Sequence, residues 1–278
     1  MNITIRPMRH SDVPAVIELA QGERWYLQPE DLQTSMDWTP TGCLAAESDG
    51  RLVGFVTSFL SDGVGWWGNL LVHPEERGRG TGRLLIRRVT EELEACNART
   101  LIVVAARGRE GLYRQFDFIP FQDLIMWVGP SSQGSDPRQV IHGEKEIHMA
   151  LALDEQAWNF SRRPLLMHLA RRRELISVPS PYAFLMHEPV KRFQFVGPWE
   201  ACGGSKEAAG ELLKKLFGRL GPGAFVFLKS PADNFFAAQI LAENGFTPLE
   251  KETMMYRGRP PGADFDRIYA IATGGASG

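Results

Sequence analysis

The alternation of apolar and polar residues predicts a mixed α+β fold for the first half of the chain. ITIRPM, CLAAES, RLVGFVTSFL and GWWGNLLV have the pattern of strands, and SDGR between the second and third predicts a hairpin turn. HSDVPAVIELA predicts a helix after the first strand, and Leu85, Val89 and Leu93 repeat at helical spacing within residues 82–97. TLIVVAA is apolar on both faces, as expected of a buried central strand, and GLYRQF and FQDLIMWV predict a short helix and a closing strand.

The second half of the chain repeats the first half weakly, in a consistent register. At an offset of 128 residues, GRLL at 82–85 aligns with GELL at 210–213. The same offset aligns Phe118 with Phe246. A shared register before and after the intervening strand favours a duplicated fold over chance similarity.

Composition predicts the boundaries between the two copies. Residues 130–144 are rich in Gly, Pro and Ser and lack periodicity, which is typical of a linker. The chain ends in ATGGASG, which predicts a mobile tail. We therefore expect a first domain at 1–129, a linker at 130–144, a second domain at 145–262 and a C-terminal tail at 263–278.

A glycine-rich loop lies between the last apolar strand of the first copy and its long helix, in LLVHPEERGRGTGRLLIRR. Gly78, Gly80 and Gly82 alternate with other residues among several arginines. Free N–H groups at the start of a helix bind a pyrophosphate, and a Cβ atom would keep the phosphate away from them. The loop lacks the Lys-Ser/Thr of a Walker A motif and the third glycine of the dinucleotide fingerprint. It matches Arg-x-x-Gly-x-Gly, beginning at Arg77.

This loop and the order of elements around it resemble the GNAT superfamily of N-acetyltransferases over residues 2–128. The resemblance implies that each of the two copies is a splayed mixed sheet flanked by helices. In the first copy the strand before the loop would part from TLIVVAA and leave a slot for acetyl-CoA. The backbone of Leu70, Leu71 and Val72 would hold the pantetheine arm. The pyrophosphate would lie against Arg77, Gly78, Arg79, Gly80, Thr81 and Gly82.

The same resemblance assigns a proton donor but no base. Tyr113 in GLYRQFDF would protonate the departing thiolate, with simple packing of the ring as the alternative. Asp117 and Ala106 depart from the family pattern, which has glycine and often asparagine at these positions. An alkyl amine has a pKa of about 10.4, so a base or a water chain must accept its proton. Three residues near strand ends are candidates, although each is more typical of a solvated surface: Glu47, Asp62 and His73.

Residues 22–38 are candidates for the acceptor site, because the family uses this region to line the acceptor pocket. Trp25, Tyr26 and Trp38 stand there among four carboxylates and one arginine. Aromatic faces with carboxylates suit a cationic amine. Packing of the rings with solvated acids is an equal alternative.

The second copy lacks the residues assigned to chemistry in the first. At the offset of 128, Arg77 aligns with Ser205 and Tyr113 with Leu241. The second copy therefore resembles a degenerate GNAT domain that shapes the acceptor site without acetyl-CoA turnover. The run SRRPLLMHLARRR at 161–173 would bind an acidic partner or, more typically, form a solvated helix face.

Composition excludes several other classes of protein. A formal net charge of −2 argues against a protein that coats nucleic acid, and no apolar run reaches the length of a membrane span. Cys43, Cys96 and Cys202 have no metal-like spacing, which indicates a reducing compartment and no metal site. Cys96 is expected on the buried face of its helix, so a covalent cysteine route is disfavoured.

Together these features predict a cytoplasmic N-acetyltransferase that transfers an acetyl group from acetyl-CoA to a primary amine. The acceptor would be a small molecule or a protein or peptide, and the chain a monomer or homodimer. The alternative is a non-catalytic regulatory protein that binds acyl-CoA on the same fold.

Overall fold

The structure is a computed structural model that describes residues 3–25, 27–132, 143–190 and 193–272. Its strands are β1 (Ile3–Pro7), β2 (Leu44–Ser48), β3 (Arg51–Ser61), β4 (Val64–Val72), β5 (Thr100–Ala105), β6 (Ile119–Pro130), β7 (Glu174–Pro179), β8 (Tyr182–Val190), β9 (Phe193–Ala201), β10 (Phe225–Pro231), β11 (Thr247–Gly258) and β12 (Ile268–Ala270). Its helices are α1 (Val13–Gly22), α2 (Pro29–Trp38), α3 (Thr81–Ala95), α4 (Glu110–Arg114), α5 (Glu144–Trp158), α6 (Arg163–Leu169), α7 (Lys206–Leu220) and α8 (Phe235–Glu243).

The two halves of the chain share one continuous sheet. Its strand order is β1-β2-β3-β4-β5-β11-β6-β10-β9-β8-β7, with β12 paired to β9. Apart from the edge strand β1, the order is symmetric about the central pair: β11, from the second half, lies between β5 and β6, and β6, from the first half, lies between β11 and β10. The mixed sheet flanked by helices is confirmed. The exchange of β6 and β11 shows that neither half completes its sheet alone.

Helices cover both faces of the sheet. In β3, Val56 packs in a cluster with α3, whereas its neighbour Phe55 packs with α1 and α2 on the opposite face. In β8, Leu185 packs with α7 and α8, whereas Phe184 packs with α5 and α6. Strands β3 and β8 are therefore buried on both faces, as their apolar sequences require.

The local sequence predictions for the first half are largely confirmed. The turn between β2 and β3 has positive φ at Asp49 (49°) and Gly50 (78°), the geometry of a tight hairpin. β5 and α3 lie where the pattern predicts them. Helix α2 is an element that the pattern did not predict. Of the linker predicted at 130–144, Pro130 still belongs to β6, Glu144 already begins α5, and residues 133–142 lie outside the described residues.

The C-terminal tail predicted from residue 263 is wrong for residues 263–272. A short 3-10 helix, Phe265–Arg267, leads into β12, and Tyr269 and Ala270 are 0% exposed. The apolar run IYAIA at 268–272 is buried beside β9. This burial decides its structure, although the residues that follow it are rich in glycine. Residues 273–278 lie outside the described part of the chain.

The basic run at 161–173 pairs with acidic residues of the same chain, so its solvated-face interpretation is wrong for three of its arginines. Arg162 is 1% exposed and binds Asp154. Arg172 binds Asp31 of α2 and Glu188 of β8, so it connects the two halves of the chain. Arg173 is 7% exposed.

Candidate active site

The two parallel strands β4 and β5 pair only at their N-terminal ends. Their register runs from Val64 opposite Thr100 to Trp66 opposite Ile102 and then stops. Beyond that point each strand continues, β4 to Val72 and β5 to Ala105. The predicted splay is therefore confirmed, and it leaves a gap that widens towards the glycine loop.

The glycine loop closes the wide end of this gap. Gly78 and Gly80 have φ of 76° and 89°, a region that favours glycine, and a Cβ at either position would meet no atom within 4 Å. Gly80 is the N-cap of α3, and no side chain of the described residues donates or accepts a capping hydrogen bond at that helix end. The first N–H groups of α3 are therefore free to face a ligand, and the helix dipole there favours an anion.

Arginines border the loop and are held by named partners. The Nε of Arg77 donates to the carbonyl of Val72 (2.9 Å), and its Nη2 lies 2.7 Å from Glu23. Arg79 contacts Glu76, whose carboxylate is buried. Thr81 begins α3 with its hydroxyl buried and without a partner among the described residues. Leu70 and Val72 pack with the α3 cluster, and Leu71 packs with α1 and α2 on the other face.

Tyr113 of α4 packs on the α3 side of the sheet, beside the end of β4 that still pairs with β5. Its ring contacts Trp67 (5.7 Å between centroids) and Phe118 (6.4 Å). The side chain is 8% exposed. Burial raises the pKa of Tyr113 to about 12, and the charge of Arg109 opposes that rise. The hydroxyl therefore keeps its proton at neutral pH and can serve there as a proton donor but not as a base.

The two adjacent tryptophans of β4 face opposite sides, as the strand geometry requires. Trp67 packs with Tyr113, whereas Trp66 packs against Trp158 of α5 at 5.4 Å. The second half of the chain therefore covers the other face of β4.

A bulge in β4 is a feature that the sequence analysis missed. Phe55 pairs with Leu71 but Thr57 pairs with Gly68, so β4 contains one extra residue at this point. Asn69 takes φ of 50° there, and its Nδ2 donates to Thr57 Oγ1 at 2.9 Å. Asn is one of the few residues that accept this conformation. The glycine and asparagine in WGNLL were the available signal for an irregular strand.

The three aromatic residues expected at the acceptor site are not brought together by the described contacts. Trp25 lies between α1 and α2 and is 38% exposed. Trp38 is packed between Phe59 and His168, each at 5.5 Å, so its ring connects α2 with α6. Tyr26 lies outside the described residues.

Each of the three candidate bases already has a hydrogen-bond partner. Glu47 accepts from Arg6 Nε at 2.8 Å, and Asp62 accepts from the Ser161 N–H at 3.3 Å, at the end of β4 opposite the loop. His73 Nδ1 accepts from the Glu75 N–H at 3.3 Å.

The cysteines offer no alternative nucleophile at this gap. Cys43 is fully buried, and burial raises its pKa to about 11. Cys96 ends α3 in an exposed position, which corrects its expected place on the buried face of that helix. The described residues contain no group of three His, Cys, Asp or Glu side chains that could hold a metal ion.

Comparison with known proteins agrees with this geometry. The sequence profile of the Acetyltransferase (GNAT) family matches residues 13–118. An acetyltransferase of Yersinia enterocolitica is 30% identical over 129 residues, which cover 44% of this chain and 91% of that protein. The chain belongs to the GNAT acetyltransferase family. Family membership assigns it as an acyltransferase enzyme and argues against the non-catalytic alternative.

Two solved structures of other proteins resemble this GNAT protein over nearly its whole length. A Pyrococcus horikoshii protein of the acetyltransferase class has a TM-score of 0.81 at 20% identity, covering 99% of this chain and 96% of that one. A tandem GNAT protein from the clavulanic acid biosynthesis pathway has a TM-score of 0.63 at 16% identity, covering 93% and 99%. These likenesses concern the fold, and they fit a tandem arrangement of two GNAT units.

No helix among the described residues of this GNAT protein is long and apolar enough to cross a membrane. A cytoplasmic location, a monomeric or dimeric state and the absence of a nucleic-acid partner stay predictions. So do the other domain boundaries and the roles of the individual site residues.

Proposed function

We propose that this GNAT enzyme transfers an acetyl group from acetyl-CoA to a primary amine in the gap between β4 and β5. The observation that carries the proposal is the uncapped start of α3 at the wide end of that gap. An anion is favoured there by free N–H groups and by the helix dipole. Arg77 and Arg79 add positive charge beside it.

The residues present fit the pyrophosphate of acetyl-CoA. A Cβ at Gly78 or Gly80 would point into open space, so these glycines leave room for a ligand at van der Waals distance from the backbone. The edge of β4 beyond Trp66 is not paired to β5. We assign the backbone of Leu70, Leu71 and Val72 to the pantetheine arm and the loop from Arg77 to Gly82 to the pyrophosphate.

When bound, acetyl-CoA supplies an acetyl group activated as a thioester. Tyr113 carries the proton that the departing sulfur needs, because its hydroxyl stays protonated at neutral pH. The aromatic packing of Tyr113 against Trp67 fixes the ring, so donation from its Oη needs little reorganisation. Glu47, Asp62 and His73 already have hydrogen-bond partners within the chain, so we assign the amine proton to solvent.

The acceptor is proposed to be the primary amine of a small molecule or of a peptide. The segment between α1 and α2 contributes Trp25, with Glu23 and Glu30 nearby in sequence, and this composition suits a cation. Trp38 contributes by joining α2 to α6, since it packs against His168 of the second half. The second half therefore supports the acceptor side of the enzyme.

Calorimetric titration with acetyl-CoA and with CoA tests the proposal on the native chain and on two matched variants. In Gly80→Glu, a carboxylate faces the pyrophosphate position, and affinity should fall at least about 100-fold. Gly223→Glu is the control. Gly223 also has positive φ (85°) and open space around its Cβ, so the backbone strain is similar while the loop stays intact.

The same samples are then assayed for release of free thiol across a panel of amines. Binding that is lost in Gly80→Glu and kept in Gly223→Glu, with thiol release from at least one amine, is the expected result. Native chain that binds neither acetyl-CoA nor CoA would overturn the cofactor assignment.

A further inference from the structure

The second half of the chain contains its own parallel, splayed strand pair. β9 and β10 pair from Phe193 opposite Phe225 to Phe195 opposite Phe227 and then separate. β9 nevertheless continues to Ala201 and β10 to Pro231. This is the arrangement of β4 and β5 in the first half, so a second gap exists at the place that corresponds to the proposed acetyl-CoA gap.

A segment of the chain itself fills this second gap. β12 pairs antiparallel with β9, with Ile268 opposite Glu200 and Ala270 opposite Trp199. On the other side, the N–H of Ile271 donates to the carbonyl of Lys229 in β10 at 2.9 Å. The segment therefore bonds to both strands that border the gap. Its residues from Ile268 to Ala272 are between 0% and 3% exposed.

Buried polar side chains hold the segment in place. Nδ2 of Asn234 donates to the carbonyls of Phe265 (3.1 Å), Asp266 (3.2 Å) and Ile268 (2.9 Å). Its Oδ1 accepts from the N–H of Ala237, so the same side chain also caps α8. At the far end of the segment, Arg173 Nη1 donates to the carbonyl of Ala272 at 3.1 Å.

The counterpart of the glycine loop, between β9 and α7, is shorter and is hydrogen-bonded within the chain. Only residues 202–205 separate β9 from α7, against 73–80 between β4 and α3. Ser205 Oγ accepts from the N–H of Ala208 at 3.2 Å, so the start of α7 already has a capping oxygen. The carbonyl of Gly204 accepts from the hydroxyl of Tyr269 at 2.9 Å. The strand, the helix start and the loop that would hold a cofactor are thus all bonded within the chain.

We propose that residues 265–272 permanently occupy the second gap in the place of a pantetheine arm, so that each chain binds a single acyl-CoA. The segment is then a fixed part of the sheet and not a displaceable lid. The count of acyl-CoA molecules rests on the proposed function, whereas the occupancy of the gap does not.

Two measurements on the full-length chain test the proposal. Native mass spectrometry with acetyl-CoA should detect one equivalent per chain, and none in Gly80→Glu. Amide hydrogen exchange should find residues 268–272 as protected as the strands beside them, with protection unchanged within about twofold when acetyl-CoA is added.

A matched pair of glycine variants separates contact from backbone strain. Gly204 and Gly203 have similar φ (68° and 60°), but a Cβ on Gly204 would lie 2.9 Å from the carbonyl of Asp266, while one on Gly203 meets nothing within 4 Å. Gly204→Ala should therefore speed exchange in residues 265–272 by about tenfold or more, and Gly203→Ala should not.

A second variant keeps the test independent of glycine. Asn234→Asp retains the cap on α8 but turns three donated hydrogen bonds into carboxylate–carbonyl repulsion. Exchange in residues 265–272 should rise by about tenfold or more. Asn244→Asp, at the other end of α8, loses one donor to the Ile240 carbonyl and should leave the segment protected.

The outcomes distinguish the two proposals. A second equivalent of acetyl-CoA on the native chain, or acetyl-CoA-induced loss of protection in residues 265–272, would overturn the fixed occupancy while leaving the proposed function intact. Fast exchange of this segment in the free native chain would also overturn it. A protected segment in a chain that binds no acetyl-CoA would instead overturn the proposed function alone.

Discussion

Glu23 Oε1 lies 2.7 Å from Nη2 of Arg77 and so joins the segment after α1 to the glycine loop. The Arg77 guanidinium also donates from Nε to Val72, which fixes it across the outer end of β4. The Glu23 carboxylate therefore neutralises part of the Arg77 charge that would attract a pyrophosphate in the proposed site. In the proposed site, ligand and carboxylate compete for the same guanidinium.

Replacing Glu23 with Gln is expected to tighten acetyl-CoA binding by about two- to fivefold at low ionic strength, because the competing charge is removed. The gain should shrink at high salt, since both groups are partly exposed. Titration calorimetry at two salt concentrations measures it. Glu18→Gln, on the exposed face of α1, is the control. Weaker binding in Glu23→Gln would mean that the carboxylate orients Arg77 for the ligand instead of competing with it.

Tyr113→Phe should lower kcat by about 10- to 100-fold with an unchanged Kd for acetyl-CoA, because it removes a proton donor but no binding contact. Steady-state assays of thiol release and calorimetry measure the two quantities. Tyr256→Phe is the control, since Tyr256 packs against Phe121 and lies outside the gap. An unchanged kcat would reduce Tyr113 to a packing residue.

The pH dependence of the reaction gives a separate test of Tyr113. Because burial raises its pKa to about 12, the donor keeps its proton throughout the neutral and mildly alkaline range. kcat/KM should therefore rise as the acceptor amine loses its proton and should not fall again below about pH 10. A decline with a midpoint near pH 8 would contradict the proposed donor.

The sequence predicted the elements and the loop of the first half because their signals are local. A local signal specifies the conformation of a single turn or a single strand, as Gly80, Leu85 and the alternating strand residues do. The helix of the second copy was found through GELL, yet its buried positions coincide with those of α3 at an offset of 127, with Thr81 matching Ala208, and not at 128. Spacing thus located the duplicated helix to within one residue.

Pairing partners could not be predicted, because they depend on residues far apart in the chain. Nothing in FQDLIMWV specifies that β6 pairs with β10 and β11. The occupied second gap could not be predicted for the same reason. IYAIA has the composition of a strand, but its partner Trp199 lies about 70 residues earlier in the chain. At the acceptor side, ligand contact and packing were equal alternatives for Trp38, and only the positions of Phe59 and His168 reveal that its ring is packed.

Asp31 connects the two halves through His168 (2.8 Å) and Arg172. Burial acts to raise its pKa, but hydrogen bonds from His168 and Arg172 outweigh burial and lower it. Since the folded pKa is below the unfolded value of about 3.9, the stabilisation is present above that pH and is lost as the pH falls through the folded pKa.

Asp31→Asn should therefore lower the free energy of unfolding at pH 7 by at most about 1 kcal/mol, since the carboxylate is 46% exposed. Urea midpoints measured from pH 7 downward should converge with those of the native chain at the lowest pH. Asp37→Asn, whose partner His10 lies on the surface, is the control. A difference that is independent of pH would mean that the substitution acts through packing.

Glu200 of β9 is fully buried. Its Oε1 accepts from Trp158 Nε1 at 3.1 Å and lies 3.5 Å from Arg162 Nη2, whereas its Oε2 has no hydrogen-bond partner among the described residues. Burial raises its pKa well above the usual range, the charge of Asp154 adds to this, and Arg162 opposes it. A folded pKa above the unfolded value means that the native state holds the proton more tightly. This contribution to stability is complete below the unfolded pKa of about 4.3 and is lost as the pH rises through the folded pKa.

Glu200→Gln keeps the acceptor for Trp158 and removes the titration. Its free energy of unfolding should therefore decline less than that of the native chain between about pH 5 and pH 8. Arg162→Met should instead cost about 3–5 kcal/mol, because it leaves the Asp154 carboxylate buried without its partner. Chemical denaturation across this pH range measures both, with the exposed Glu211→Gln as control. If the native chain and Glu200→Gln have parallel pH profiles, Glu200 is ionised in the folded state and Arg162 is its counter-ion.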